Sequence, residues 1–203
     1  MFDTMACTSP ERPSTAGATL LDGTNIVVFD FDQTLTTKMV STEKMFQQNI
    51  FGTRDRKFLL NQMMTQIKER LEYNIVVITS NEFYDKVFDA IKEQLEFSVD
   101  AVFHAAVGKK DELFSTDKPP VLVVDDDPHN LRPFPDTVPV QGPGGLQKEE
   151  MDSILRKLSV KRGMTQPLLS HVPSPPPSPP RSEDDGGTTR TLFGFLPQKS
   201  LRL

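Results

Sequence analysis

The sequence is poor in cysteine and in long apolar runs. Its only cysteine is Cys7, so no disulfide can form within the chain, as is usual for proteins of a reducing compartment. No apolar run approaches the roughly 20 residues that a transmembrane helix needs. The first residues carry an early aspartate and lack the apolar stretch of a secretory signal. We therefore expect a cytoplasmic or nuclear protein with no membrane partner.

Basic charge is also scarce. The chain has 23 lysines and arginines against 28 aspartates and glutamates, which gives a formal net charge of −5. Domains that bind nucleic acids usually show a basic stripe or a basic isoelectric point. Neither feature is visible in this sequence, so we expect no nucleic-acid partner.

Proline, in contrast, is plentiful and clustered. The segment HVPSPPPSPPRSEDDGG has almost no apolar residue apart from proline. Such a segment cannot bury enough surface to offset the entropy lost on ordering. We predict a disordered leader over residues 1–22, one folded domain over 23–160 and a disordered proline-rich tail over 161–203. The tail ends in the apolar motif LFGFLP, and one hypothesis is that this motif docks on a partner.

The predicted domain alternates short apolar runs with amphipathic stretches. The runs predict strands over Ile26–Phe29, Ile75–Ile78, Val99–Phe103, Val121–Val124 and Thr137–Val140. The stretches predict helices over Lys57–Leu71, Phe83–Leu95 and Glu149–Leu158. This alternation favours a three-layer α/β/α Rossmann-like fold with a parallel sheet. The last strand contains Pro139, which predicts an edge position.

Two aspartates directly follow the first predicted strand. Asp30 and Asp32 are two residues apart, and Phe31 between them can turn away. Two carboxylates that face one pocket suit a hard cation such as Mg²⁺. They also permit one carboxylate to attack a substrate while the other handles the leaving-group proton. Taken alone, the pair is equally compatible with an acidic turn that has no chemical role.

Three further polar clusters follow other predicted elements. Thr79 ends the second strand, Lys109 and Lys110 open a short helix, and Asp125 and Asp126 follow the fourth strand. Alone, the hydroxyl is compatible with an ordinary helix cap and the lysines with solvated surface charges. Consecutive aspartates repel one another, and a bound divalent cation relieves that repulsion. Open parallel sheets bind ligands beyond the carboxyl ends of their strands, where all these clusters fall.

The order of these motifs, strand–DxDxT, strand–Thr, Lys, strand–DD, resembles the haloacid dehalogenase superfamily over roughly residues 25–158. The resemblance implies Mg²⁺ and a phosphomonoester hydrolase that forms an aspartyl-phosphate. It implies the following roles: nucleophile for Asp30, general acid/base with a backbone carbonyl on the metal for Asp32, phosphate-binding hydroxyl for Thr79, phosphate-binding lysine for Lys110 or, less favourably, Lys109, and metal-site acids for Asp125 and Asp126.

Two alternatives stay open within the same fold. The chain could transfer the phosphoryl group to an acceptor other than water, or it could be a non-catalytic regulatory or binding protein. The segment Thr36–Arg56 allows a loop and one helix over Met45–Ile50, but the sequence leaves no room for a large cap domain. The expected partner is therefore a phosphorylated substrate, either a protein or a small molecule.

Overall fold

A computed structural model describes residues 20–164. Its centre is a parallel sheet of five strands in the order β3-β2-β1-β4-β5. The strands are β1 (Ile26–Phe29), β2 (Asn74–Thr79), β3 (Ala101–His104), β4 (Leu122–Asp125) and β5 (Thr137–Pro139). The predicted α/β fold with a Rossmann-like parallel sheet is confirmed, and β5 lies at an edge as its proline predicts.

Four α-helices and several short turns connect these strands. The helices are α1 (Arg54–Thr65), α2 (Tyr84–Leu95), α3 (Pro128–Leu131) and α4 (Lys148–Lys161). Helix α1 continues as a π-helical turn over Gln66–Arg70, and 3₁₀ turns occur at Gly23–Asn25, Glu43–Gln47 and Lys110–Leu113. Among residues 20–164, no helix is long and apolar enough to cross a membrane.

The two faces of the sheet are covered by different kinds of element. Phe29 packs in the larger core with apolar side chains of α1, α2 and α4. Val28, its neighbour in β1, packs on the opposite face with Val123 and Phe114. The long helices therefore cover one face, while the short helix α3, through Leu131, covers the other together with turns and loops.

Strand β1 lies at the centre of the sheet and is buried along its whole length. Its four residues are all buried, and Val27, Val28 and Phe29 are 0% exposed. Full burial of one such side chain contributes about 1.5–3 kcal/mol to stability. Residues that follow β1 therefore start from a rigid position, with β2 on one side and β4 on the other.

Helix ends follow local capping rules. The Thr53 hydroxyl accepts a hydrogen bond from the Arg56 amide and caps α1. Gln147 and Glu150 form a reciprocal capping box at the start of α4. The Asp127 carboxylate accepts from the His129 amide and starts α3.

Contacts of the described chain begin before the predicted domain boundary. The Leu21 amide donates to the Leu113 carbonyl at 2.8 Å, within the stretch predicted as leader. At the other end, Arg162 donates to the Glu72 carbonyl and lies 4.1 Å from the Tyr73 ring centre. The leader prediction for residues 1–19 and the tail prediction for residues 165–203 lie outside the described residues.

Candidate functional site

Asp30 and Asp125 lie side by side at the carboxyl ends of the two central strands. Phe29 pairs with Val124 in the parallel register, so the next residue of each strand is an aspartate. The Asp30 amide donates to the Val124 carbonyl at 2.9 Å, which extends the pairing by one step. Both side chains are buried, with exposures of 6% for Asp30 and 0% for Asp125.

Lys110 bridges these two carboxylates. Its Nζ lies 2.5 Å from Asp30 Oδ1 and 2.6 Å from Asp125 Oδ2. The side chain is only 1% exposed, and it reaches the pair from the 3₁₀ turn that begins at Lys110. Lys109 is exposed and pairs with Glu112 on the surface. Of the two candidate lysines, Lys110 is therefore the one that contacts the aspartates.

Burial and mutual charge shift the ionisation of this cluster. Burial raises the pKa of Asp30 to about 7; Lys110 opposes the rise, and the charge of Asp125 adds to it. Burial also acts against the charge of Lys110, but Asp30 and Asp125 outweigh it and raise the Lys110 pKa. The ammonium group therefore stays charged between its two partners.

Asp126 completes an acidic cluster with Asp30 and Asp125. One carboxylate oxygen from each residue can be chosen so that all three lie within 4.8 Å of one another. Burial raises the pKa of Asp126, and the neighbouring Asp125 adds to the rise. When all three are ionised, three carboxylates and one ammonium leave two negative charges in excess, which a divalent cation would offset.

The three aspartates differ in how many of their acceptors are used. Asp125 Oδ1 accepts from the Asp127 amide at 2.9 Å and from Asn130 Nδ2 at 3.1 Å, and Oδ2 accepts from Lys110. Oδ2 of Asp30 and Oδ2 of Asp126 accept no hydrogen bond from the residues that the structure describes. Asp125 therefore holds Lys110 in place, and the free oxygens belong to Asp30 and Asp126.

The carboxylate of Asp32 is held apart from this cluster. Oδ1 accepts from the Val40 amide at 2.6 Å, and Oδ2 accepts from Asn81 Nδ2 at 2.7 Å. Burial raises the pKa of Asp32, while the two hydrogen bonds oppose the rise. Asp32 is not a member of the acidic cluster, although the sequence groups it with the metal-site residues.

Thr79 is placed differently from its neighbour Ser80. Thr79 is 1% exposed, and its hydroxyl accepts a hydrogen bond from the Asn81 amide at 3.1 Å. Alternation along β2 puts Thr79 on the side of Val77, which packs with α1 and α2. The turn that begins at Lys110 packs on the other face of the sheet through Leu113 and Phe114, and Ser80 is exposed.

The turn after Asp30 has a conformation that its own hydrogen bonds maintain. Gln33 adopts a left-handed φ of 56°, and its amide donates to the Thr36 hydroxyl. The Thr34 hydroxyl donates to Asp126 Oδ1 at 3.2 Å. The turn is thus connected directly to the acidic cluster.

Arg56 connects this turn to two other loops. Its guanidinium donates to the carbonyls of Thr34, Leu35, Phe51 and Leu146 at 2.7–3.3 Å. Burial lowers the pKa of Arg56 to about 10, so the group stays charged at neutral pH. We infer that Arg56 holds the turn after β1 against the loop before α4.

The loop between the turn and α1 packs closely on the residue between the two aspartates. Phe46 stacks on Phe31 with ring centres 5.9 Å apart, and Phe51 contacts Phe31 edge-on at 6.1 Å. Gln94 of α2 donates to the carbonyls of Phe46 and Gln48. The loop is therefore fixed to the domain, and its only helical turn is Glu43–Gln47 in place of the helix predicted over Met45–Ile50.

Sequence reasoning missed two residues that shape this site. No sequence motif marks Arg56, because its partners are backbone carbonyls from three separate segments. Asn130 holds Asp125 from the first turn after β4, and its place five residues beyond Asp125 was the only available signal. Both roles depend on tertiary placement rather than on local pattern.

Comparison with protein-family models, with curated proteins and with solved structures finds no significant match for this chain. What the site does is therefore inferred from its own residues and their geometry.

Proposed function

We propose that the protein is a Mg²⁺-dependent phosphomonoester hydrolase of the haloacid dehalogenase type, with a three-layer α/β/α domain and Asp30 as nucleophile. The observation that carries this proposal is the buried bridge from Lys110 to Asp30 and Asp125, with Asp126 beside it. A buried carboxylate at a strand end with a fixed cation beside it suits attack on a phosphoryl group. The substrate is a phosphorylated protein or small molecule.

The reaction has two steps that use two carboxylates. An Asp30 oxygen attacks phosphorus, the bond from phosphorus to the ester oxygen breaks, and Asp32 gives its proton to the departing oxygen. Water then attacks phosphorus of the aspartyl-phosphate, the bond to Asp30 breaks, and Asp32 takes a proton from the water. The products are an alcohol and inorganic phosphate, and both carboxyl groups return to their starting states.

The free oxygens of Asp30 and Asp126 fit a hard divalent cation. Such ions prefer carboxylate and carbonyl oxygens, and Mg²⁺ in particular uses few protein ligands and keeps several waters. Asp30 and Asp126 would hold the ion, together with the Asp32 carbonyl that the family resemblance adds. When bound, the ion supplies positive charge that favours the negatively charged phosphoryl group.

Activity on an aryl phosphate should require Mg²⁺, and Asp126→Asn should lower the affinity of the protein for Mg²⁺. We expect the Mg²⁺ concentration at half-maximal rate to rise by about tenfold or more, because an amide is a poorer ligand for a hard cation. The measurement is the initial rate across a Mg²⁺ titration after chelator treatment. Full activity of the wild type in excess chelator would contradict the proposed metal site.

The phosphate-binding hydroxyl is better supplied by Ser80 than by Thr79. The exposure of Ser80 and the buried position of Thr79 support this choice. We expect Ser80→Ala to raise KM for an aryl phosphate several-fold, and Thr79→Val to lower thermal stability with a smaller change in KM. Steady-state kinetics and thermal unfolding of both variants separate the phosphate-binding role from the structural role. The reverse pattern would show that Thr79 supplies the phosphate-binding hydroxyl.

Removing residues 165–203 should leave kcat/KM on a small aryl phosphate within about twofold of wild type. All the proposed site residues and α4 lie within residues 20–164. The comparison is between the full chain and the shortened chain under the same conditions. A large loss of kcat/KM, or a fall of several degrees in Tm, would show that the removed residues contribute to the domain.

A further inference from the structure

We infer that Asn81 is a positioning residue for Asp32, the proposed proton donor, and that it sets how well the protein cleaves esters with poor leaving groups. The inference rests on the proposed function. Asn81 is 8% exposed, and its side chain makes hydrogen bonds in three directions.

The contacts of Asn81 join three separate segments. Nδ2 donates to Asp32 Oδ2 and to the Val40 carbonyl, both at 2.7 Å, and Oδ1 accepts from the Phe83 amide at 2.8 Å. The last of these contacts alone closes an Asx turn just before α2, whose N-cap is Phe83. The two donated bonds point away from α2, toward the turn after β1 and the loop beyond it. The Asn81 side chain therefore does more than close the turn before α2.

The Asp32 carboxylate has no other side-chain partner among the described residues. Its second contact is the Val40 amide, and Asn81 also fixes the Val40 carbonyl. Loss of the Asn81 amide would thus release one Asp32 oxygen directly and loosen the loop that holds the other. Each carboxylate oxygen keeps a further lone pair, so the proton for the leaving group can still be carried.

Misplacement of Asp32 should matter in proportion to how much the leaving oxygen needs a proton. A nitrophenolate departs readily without one, whereas a methoxyphenolate does not. General acid catalysis contributes roughly 10²–10⁴-fold where it is needed. A defect in the proton donor therefore makes kcat/KM more sensitive to the leaving group, and a general loss of structure lowers kcat/KM equally for all esters.

The test compares kcat/KM for a series of aryl phosphates, from a nitrophenyl to a methoxyphenyl ester, in the full-length protein with Mg²⁺. The variants are Asn81→Ala and Asn81→Ser. Serine keeps an acceptor for the Phe83 amide, but its side chain is one bond shorter and does not reach Asp32. Asn61→Ala is the matched control, because Asn61 links α1 to the Leu95 carbonyl and is not part of the proposed site.

We expect both Asn81 variants to lose less than about fivefold on the nitrophenyl ester and about a hundredfold on the methoxyphenyl ester. Asn61→Ala should keep the wild-type dependence on the leaving group. Equal losses across the series, or no loss, in an Asn81→Ser protein that melts cooperatively would overturn the positioning role alone. Failure of the wild type to hydrolyse any of these esters would instead overturn the proposed function and this inference with it.

Discussion

Asp30→Asn should reduce kcat on an aryl phosphate by on the order of a thousandfold or more, with the fold retained. The amide has nearly the same shape as the carboxylate but is a poor nucleophile. The variant also relieves one buried negative charge beside Asp125, so we expect no large loss of stability. Steady-state kinetics measures the loss of kcat, and thermal unfolding measures any change in stability.

Asp127→Asn is the matched control for this variant. It makes the same chemical change in the run of three aspartates, but Asp127 caps α3 through the His129 amide. Asparagine is an equally good cap, so turnover and Tm should stay close to wild type. Near-native turnover by Asp30→Asn would show that Asp30 is not the nucleophile.

Lys110→Met should lower both activity and stability. The change leaves the buried carboxylates of Asp30 and Asp125 without the cation between them. Breaking a buried ion pair on one side typically costs about 3–5 kcal/mol. Loss of a fixed positive group beside the reacting phosphoryl group should also lower kcat/KM by about 10²–10³-fold. Chemical denaturation and kinetics on an aryl phosphate measure these two losses.

Lys109→Met provides an internal comparison at the adjacent position. Lys109 is exposed and contacts only Glu112 among the described side chains. Its loss should therefore change neither the free energy of unfolding nor kcat/KM appreciably. A larger effect at Lys109 than at Lys110 would mean that the buried bridge has no part in catalysis.

The sheet could be predicted from sequence because its strands are buried on both faces. Such strands appear as short apolar runs, and β1 has the predicted bounds. Strand β3 begins at Ala101 rather than Val99, because the Asp100 carboxylate accepts from the Ile75 amide just before the strand. Sequence pattern does not reveal which side chain will take a backbone donor.

Helix positions were predictable, but the buried face of α1 was predicted less well. The spacing of apolar residues over Lys57–Leu71 places Phe58 on the buried face, but Phe58 is 61% exposed, whereas Leu60 is fully buried. Helix α1 also starts at Arg54, earlier than predicted, because Thr53 supplies its cap. The direction of a helix face depends on where the neighbouring helices pack, which the spacing of apolar residues only approximates.

Some residues of the candidate site could likewise be predicted from the sequence, and others could not. Residues at strand ends could be identified, because parallel strands bring their carboxyl ends to one edge. The choice of Lys110 over Lys109 needed the structure, since it depends on the direction of a single turn. The same holds for the separate placement of Asp32, which follows from its hydrogen bonds to Val40 and Asn81.

The central claim is that Asp30 becomes phosphorylated during turnover, and chemical trapping tests it most directly. The protein is mixed with an aryl phosphate and Mg²⁺, quenched in acid and reduced with borohydride, which converts an aspartyl-phosphate to homoserine. Mass spectrometry of the peptide that contains Asp30 then locates the modified residue. The account predicts homoserine at position 30 in the wild type and none in Asp30→Asn. An unmodified Asp30 in a protein that turns over substrate, or a trapped residue elsewhere, would contradict it.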